Sequence, residues 1–217
     1  VTLGLFDDAP APYAAPEAIA PGAALLRGFA LEVDEALLQA VQEVTAAAPL
    51  RHLVTPGGYT MSVAMSNCGE LGWVSDRSGY RYDPKDPLSG KPWPPMPDCF
   101  SELALSAAAE AGFGSFRPDA CLINRYEPGA RLSLHQDKDE GHLDAPIVSV
   151  SLGLPAVFLF GGLKRSDRPA RYRLLHGDVA VWGGPSRLAY HGVAPLAEGE
   201  HARLGRQRIN LTFRRAR

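Results

Sequence analysis

Apolar positions change their spacing twice along the chain. After Asp34, a residue type that caps helix N-termini, Leu37, Leu38, Val41 and Val44 recur at helical spacing until Pro49 ends the run. This predicts an amphipathic helix whose apolar stripe needs a sheet to cover. A second helix is predicted over 98–111. Asp98 follows Pro97 as its cap, Phe100, Leu103, Ala107, Ala108 and Ala111 form its stripe, and Gly112 closes it. A short strand at 23–31 precedes the first helix. From Pro118 onward the pattern is all β, with strands expected at 119–127, 131–136, 147–153, 156–160, 171–175, 178–182, 187–193 and 207–215. Turn signals such as Pro128-Gly129, Gly161-Gly162, Gly177-Asp178 and Gly183-Gly184 separate them, and short strands at this spacing predict a sandwich or jelly roll.

Residues 1–22, rich in Ala and Pro, read as a loose lead-in. Residues 51–97 are turn-rich. Thr60 to Ser66 alternate weakly, as an edge strand would, and Trp73, Tyr80, Tyr82 and Trp93 are interleaved with Gly, Pro, Ser and charged residues. Trp93 reads as a core anchor; for the other three, core anchors and a flexible binding flap both fit, and long connections of this kind are often functional.

Two of the predicted strands carry polar faces. In 208–214, Ile209, Leu211 and Phe213 take one face and Arg208, Asn210, Thr212 and Arg214 the other; in 122–126, Asn124 and Tyr126 share a face with Leu122. If the apolar faces carry the helices, the polar faces turn into the barrel, and a lining of Arg, Asn and Tyr suits an anionic ligand. Solvent-facing polar residues would give the same pattern.

Composition narrows the setting. The 217 residues suffice for one domain with a substantial core. No apolar run is long enough for a membrane-spanning helix, and the N-terminus does not read as a secretory signal. Cys68, Cys99 and Cys121 are odd in number and far apart, which suggests reduced thiols and a cytoplasmic protein. A net charge of −2 does not advertise nucleic-acid binding. The charge is nevertheless uneven. Lys164, Arg165, Arg168, Arg171 and Arg173 face a single acid, Asp167, and the C-terminus adds six arginines from Arg203 to Arg217. A positive face and ordinary solvated charge both fit that distribution.

The candidate chemistry lies where strand 131–136 runs into a charged turn. His135 and Asp137, two residues apart on a strand, point the same way, and His191 lies downstream. Two imidazoles and one carboxylate on one side of a metal leave the opposite positions open, the facial triad of non-haem Fe(II) oxygenases.

The ordered series His135-x-Asp137, His191, Arg208 and Arg214, with the stretches 55–73, 121–140, 145–165, 176–184 and 209–214, resembles the AlkB family of Fe(II)- and 2-oxoglutarate-dependent dioxygenases, its bacterial members in particular. The resemblance covers about residues 22–215. It implies a mainly β fold with flanking helices: a double-stranded β-helix (jelly roll) core at about 118–215, preceded by a nucleotide-recognition flap at about 51–97, in one domain over 23–217. It implies His135, Asp137 and His191 as ligands of Fe(II). Arg208 would pair with the distal carboxylate of 2-oxoglutarate, helped by Asn124 and Tyr126, with Asn210 and Arg214 at the metal-proximal end. O2 would be the second cosubstrate. Trp73 and His135 would sandwich a flipped methylated base, Tyr80 and Tyr82 would meet substrate phosphates, Asp139 the base edge and Arg165 the substrate, with Met61 and Met65 shaping the pocket. The implied activity is oxidative demethylation of 1-methyladenine and 3-methylcytosine in single-stranded DNA or RNA, by a monomer, with release of formaldehyde, succinate and CO2. Two other readings stand beside it: a dioxygenase of the same fold acting on proteins or small molecules, and a non-catalytic RNA-binding jelly roll.

Overall fold

The computed structural model describes residues 13–217. The expected lead-in at 1–22 falls largely outside these residues, but its last part is ordered: β1 (Glu17–Ala20) pairs antiparallel with β2 (Ala23–Leu26). The strand expected at 23–31 therefore ends early, and a short 3-10 turn over Leu31–Val33 leads into α1 (Asp34–Ala47). Next come β3 (Arg51–Val54), β4 (Thr60–Gly69), β5 (Gly72–Asp76), β6 (Gly79–Asp83) and α2 (Asp98–Glu110). The all-β half holds β7 (Ala120–Tyr126), β8 (Leu132–His135), β9 (Ile147–Gly153), β10 (Ala156–Phe160), β11 (Ala170–Leu174), β12 (Val179–Trp182), β13 (His191–Val193) and β14 (Arg208–Arg214). Seven of the eight strands expected there agree to within one residue at either end. The eighth, 187–193, is a strand only over its last three residues, because a 3-10 turn at Gly184–Ser186 swings the chain into place first.

The strands form a large antiparallel sheet in the order β1-β2-β12-β9-β14-β7-β4-β3 and a small one in the order β11-β10-β13-β8. This is the jelly-roll layout, with a cavity between the sheets and both helices on the outer face of the large one. The alternation on β14 decides which face is which. Ile209, Leu211 and Phe213 pack with Leu37, Val41 and Val44 of α1 and Phe100, Leu103 and Ala107 of α2, while Arg208, Asn210, Thr212 and Arg214 line the cavity. Phe100 and Phe213 meet edge to face at 5.9 Å, both fully buried. Phe100→Ala should therefore destabilise the protein by about 3–5 kcal/mol, read as a lower denaturant midpoint at unchanged slope.

Three local expectations change. Neither Asp34 nor Asp98 caps its helix. Each is the first helical residue, placed to favour the N-terminal dipole, and Asp34 spends its carboxylate on His176 and Arg203, both at 2.8 Å. Strand β4 is not an edge. It lies between β3 and β7 with residues Val63–Cys68 buried, and its weak alternation reflects burial on both faces.

Strands β5 and β6 form a separate hairpin. Its root is fixed by Trp93, which is buried against Ala48 and Val74, as expected of a core anchor, and donates to the Asp83 carbonyl at 2.9 Å. Arg51 lies over the Trp93 ring and pairs with Asp86. A Cβ at Gly72 would come within 2.3 Å of the Trp93 ring, so only glycine lets the hairpin start so close to that anchor.

Candidate active site

Strands β13 and β8 pair so that His191 faces His135, and their rings lie 4.4 Å apart. Asp137 follows two residues after β8 ends and turns its carboxylate between them: Oδ1 is 3.5 Å from His135 Nε2 and Oδ2 is 3.8 Å from His191 Nε2. All three ligand atoms lie within 4.8 Å of one another, the one such cluster of His, Cys, Asp or Glu among the described residues. Each imidazole is oriented by a backbone carbonyl. His135 Nδ1 donates to Ser133 O at 2.8 Å and His191 Nδ1 to Ala189 O at 3.0 Å. With the proton held at Nδ1, both Nε2 lone pairs face the centre, which is the tautomer a metal needs. Burial, with His135 nearby, pushes the His191 pKa down to about 4, so that ring is neutral at pH 7.

Arg214 finishes the arrangement. Its Nε and Nη2 donate to Asp137 Oδ2 at 2.8 and 2.7 Å. Burial opposes the charge on Asp137, but Arg214 and the two histidines outweigh it and hold the carboxyl below its usual range. With Oδ2 taken, Oδ1 is the oxygen left to bind a metal, and one-oxygen binding keeps coordination positions open.

Deeper in the cavity, Arg208 is 1 % exposed. Its Nη2 donates to Ser151 at 3.0 Å and its guanidinium carbon lies 5.0 Å from the centre of the Tyr126 ring, yet Nε and Nη1 have no partner among the described residues, nor does Asn124 Oδ1. A buried guanidinium with two idle donor atoms is costly unless an anion completes it. Asn210 is held by Ser149 and the Val150 carbonyl and accepts from Thr212. The donor set thus fits a carboxylate at Arg208 and a divalent metal at the triad, inside one cavity of about 780 Å³.

At the mouth, Trp73 of the hairpin stacks on Tyr80 at 5.5 Å and 14°, and its Nε1 donates to Asp139 at 3.1 Å. Both rings line the cavity, with Asp139, Arg165, Met61 and Met65. Tyr82 is placed differently. It is absent from the lining, and its hydroxyl donates to buried Glu140 at 2.6 Å. Sequence reasoning missed Ser149, Ser151, Glu140 and Arg187. The two serines had a signal, because they alternate in an otherwise apolar strand and lie opposite Thr212 and Asn210 in the β9–β14 register. Glu140 and Arg187 pair across 47 positions and had none.

The model of the 2OG-Fe(II) oxygenase superfamily matches residues 22–214. The chain is 59% identical over 214 residues to "Alpha-ketoglutarate-dependent dioxygenase AlkB" of Salmonella typhimurium, covering 99% of this chain and 98% of that protein. The chain belongs to the AlkB family of 2OG-Fe(II) dioxygenases. A more distant AlkB-family relative, human "Nucleic acid dioxygenase ALKBH1", is 35% identical over 134 residues, 60% of this chain and 34% of that protein. Among solved structures, "The structure of OsALKBH1" superposes with a TM-score of 0.81 at 28% identity, over 92% of this chain and 99% of that one. As an AlkB-family dioxygenase the chain uses Fe(II) and 2-oxoglutarate, and His135, Asp137 and His191 form its metal site.

Proposed function

We propose that the protein oxidatively removes alkyl groups from nucleobases in single-stranded DNA or RNA, as a cytoplasmic monomer, with 1-methyladenine and 3-methylcytosine preferred. The observation that carries this is the hairpin. Its Trp73–Tyr80 stack lies at the mouth of the cavity that holds the triad, beside the Asp139 carboxylate of the turn after β8. The human relative's name supports nucleic acid as the substrate class. Among the described residues no helix is long and apolar enough to cross a membrane.

His135, Asp137 and His191 would hold Fe(II). Arg208 would take the distal carboxylate of 2-oxoglutarate with Asn124 and Tyr126, and Asn210 and Arg214 would border its other end. Bound together, these groups supply O2-driven hydroxylation of a C–H bond, with 2-oxoglutarate leaving as succinate and CO2. The chain's own part is to present the methyl group and keep water away. A base reaches the cavity only when unstacked, which costs least in a single strand. An N-methyl group hydroxylated there becomes N-hydroxymethyl, which loses formaldehyde and restores the base.

The decisive experiment is the mass of a methylated oligonucleotide incubated with enzyme, Fe(II), 2-oxoglutarate and ascorbate. Loss of the methyl group with matching succinate and formaldehyde is expected. Succinate with an unchanged oligonucleotide would favour a protein or small-molecule substrate, and no succinate at all a binding module.

Methylation at N1 of adenine or N3 of cytosine leaves the base cationic. A cation over an aromatic face gains about 0.5–2 kcal/mol, so cationic lesions should exceed neutral ones such as N1-methylguanine or N3-methylthymine in kcat/KM by about 2- to 30-fold. Asp139→Ala should narrow that ratio, because it removes the carboxylate beside the base. An unchanged ratio would remove Asp139 from lesion choice.

Binding should rest on few phosphates. Arg165 lines the cavity, and Lys164, Arg168 and Arg171 lie on or beside the connection from β10 to β11. With about three contacts to a single strand, log affinity should fall with log salt at a slope of about −2. A slope near −10, typical of a large repressor, would show a far wider interface than this one.

A further inference from the structure

We propose that Glu140 is a positioning residue that ties the β5–β6 hairpin to the metal ligand Asp137 through Arg214. Glu140 lies three residues beyond Asp137, its side chain is 2% exposed, and it belongs neither to the triad nor to the cradle for 2-oxoglutarate. Its oxygens are divided between partners. Oε1 accepts the Tyr82 hydroxyl of β6 at 2.6 Å and lies 3.4 Å from Arg214 Nε; Oε2 accepts from Arg187 Nη2 at 3.1 Å. Arg187 also donates to the carbonyls of Asp137, at 2.7 Å, and Ala145, at 2.8 Å, so it grips both ends of the turn that carries Glu140. Arg214 offers Asp137 its Nε and Nη2 and Glu140 the same Nε. Two carboxylates and two guanidiniums thus balance in a buried cluster, and the hairpin enters it through one hydroxyl. Burial pushes the Tyr82 hydroxyl well above its ordinary pKa, so it stays a donor.

A second tether joins the hairpin to the same turn, from Trp73 Nε1 to Asp139. That bond lies at the exposed mouth, where water competes. Both acceptors are carboxylates, but the Tyr82–Glu140 bond is part-buried and its acceptor is buried, so it is the stronger of the two. A metal held by Asp137 would steady Arg214 and Glu140 in turn, and with them the acceptor on which the hairpin's Tyr82 rests. By reciprocity, a closed hairpin favours the metal by the same factor. Trp73 travels with the hairpin, so the position of the base platform and the geometry of the metal ligand are set together. The tie acts before any substrate arrives, and it stands or falls apart from the dealkylation reading.

The test is hydrogen exchange at the amides of 72–83 in the full chain, with and without Mn(II) as the probe and with no nucleic acid present. In the unaltered protein Mn(II) should slow exchange by about 5-fold or more. In Tyr82→Phe, which keeps the ring packed on Leu71, Ala120 and Ala216, the slowing should shrink to under about 2-fold. Glu140→Gln should lose it as well and bind Mn(II) about 10-fold more weakly, as loss of an outer-sphere partner does. Asp139→Ala should keep the slowing. Equal slowing in Tyr82→Phe, or none in the unaltered protein, overturns the proposal. Loss in Asp139→Ala alone moves the tie to Trp73 and overturns it equally.

Discussion

His135→Ala, Asp137→Ala and His191→Ala should each bring 2-oxoglutarate turnover down to background. Each removes one of three ligands from a site to which, among the described residues, no fourth His, Cys, Asp or Glu belongs. The three variants should differ in stability, however. His135 is about one-third exposed and bonds only a backbone carbonyl of its own strand, so its loss leaves nothing buried and charged behind. Asp137 is the main partner of Arg214, whose ordinary pKa is raised by Asp137, Tyr82 and Glu140 against the opposing effect of burial. Breaking a buried ion pair from one side costs about 3–5 kcal/mol, and Glu140 remains to take up part of Arg214. Asp137→Ala should thus lower the denaturant midpoint clearly and His135→Ala hardly at all. Succinate formation and unfolding curves on the same three proteins check both halves. Turnover near the unaltered level in any one of them would remove that residue from the metal site.

Arg208→Ala should raise the 2-oxoglutarate requirement by about 30- to 5000-fold, the equivalent of about 2–5 kcal/mol for losing one side of a buried charged pair. The physical basis is the guanidinium itself. It is fully buried, burial depresses its pKa with Tyr126 offsetting part of the effect, and Nε and Nη1 have no partner among the described residues. Two outcomes follow that a structural arginine would not show. Without 2-oxoglutarate, Arg208→Ala should not suffer the loss that breaking a satisfied pair brings, because no acid is left unpaired. Arg208→Lys should recover little affinity, since an ammonium is a point charge and cannot match a carboxylate with a planar fork. Titration of 2-oxoglutarate by calorimetry on the three proteins, with unfolding curves without it, gives the answer. An unchanged apparent affinity in Arg208→Ala would place the distal carboxylate elsewhere.

Local pattern determined much of this protein. Helix and strand positions in the all-β half followed from period and turn residues, because an amphipathic element has one face to bury and its spacing records which. The same alternation separated Arg208, Asn210, Thr212 and Arg214 from Ile209, Leu211 and Phe213 before any coordinates, and His135-x-Asp137 with a later His191 marked the metal triad. What the sequence left open was long-range. The weak alternation of β4 read as an edge because a strand's place in a sheet depends on partners far along the chain. Asp34 read as a cap because its actual partners, His176 and Arg203, lie more than 140 positions away. The resemblance gives Tyr80 and Tyr82 one role, but packing against Leu71 and Ala120 carries the Tyr82 hydroxyl to Glu140, while Tyr80 stays at the mouth with Trp73. The Asp137–Arg214–Glu140–Arg187 cluster has no local signature at all. Charge pairing is blind to sequence separation, and which guanidinium meets which carboxylate is decided when the two sheets close on each other.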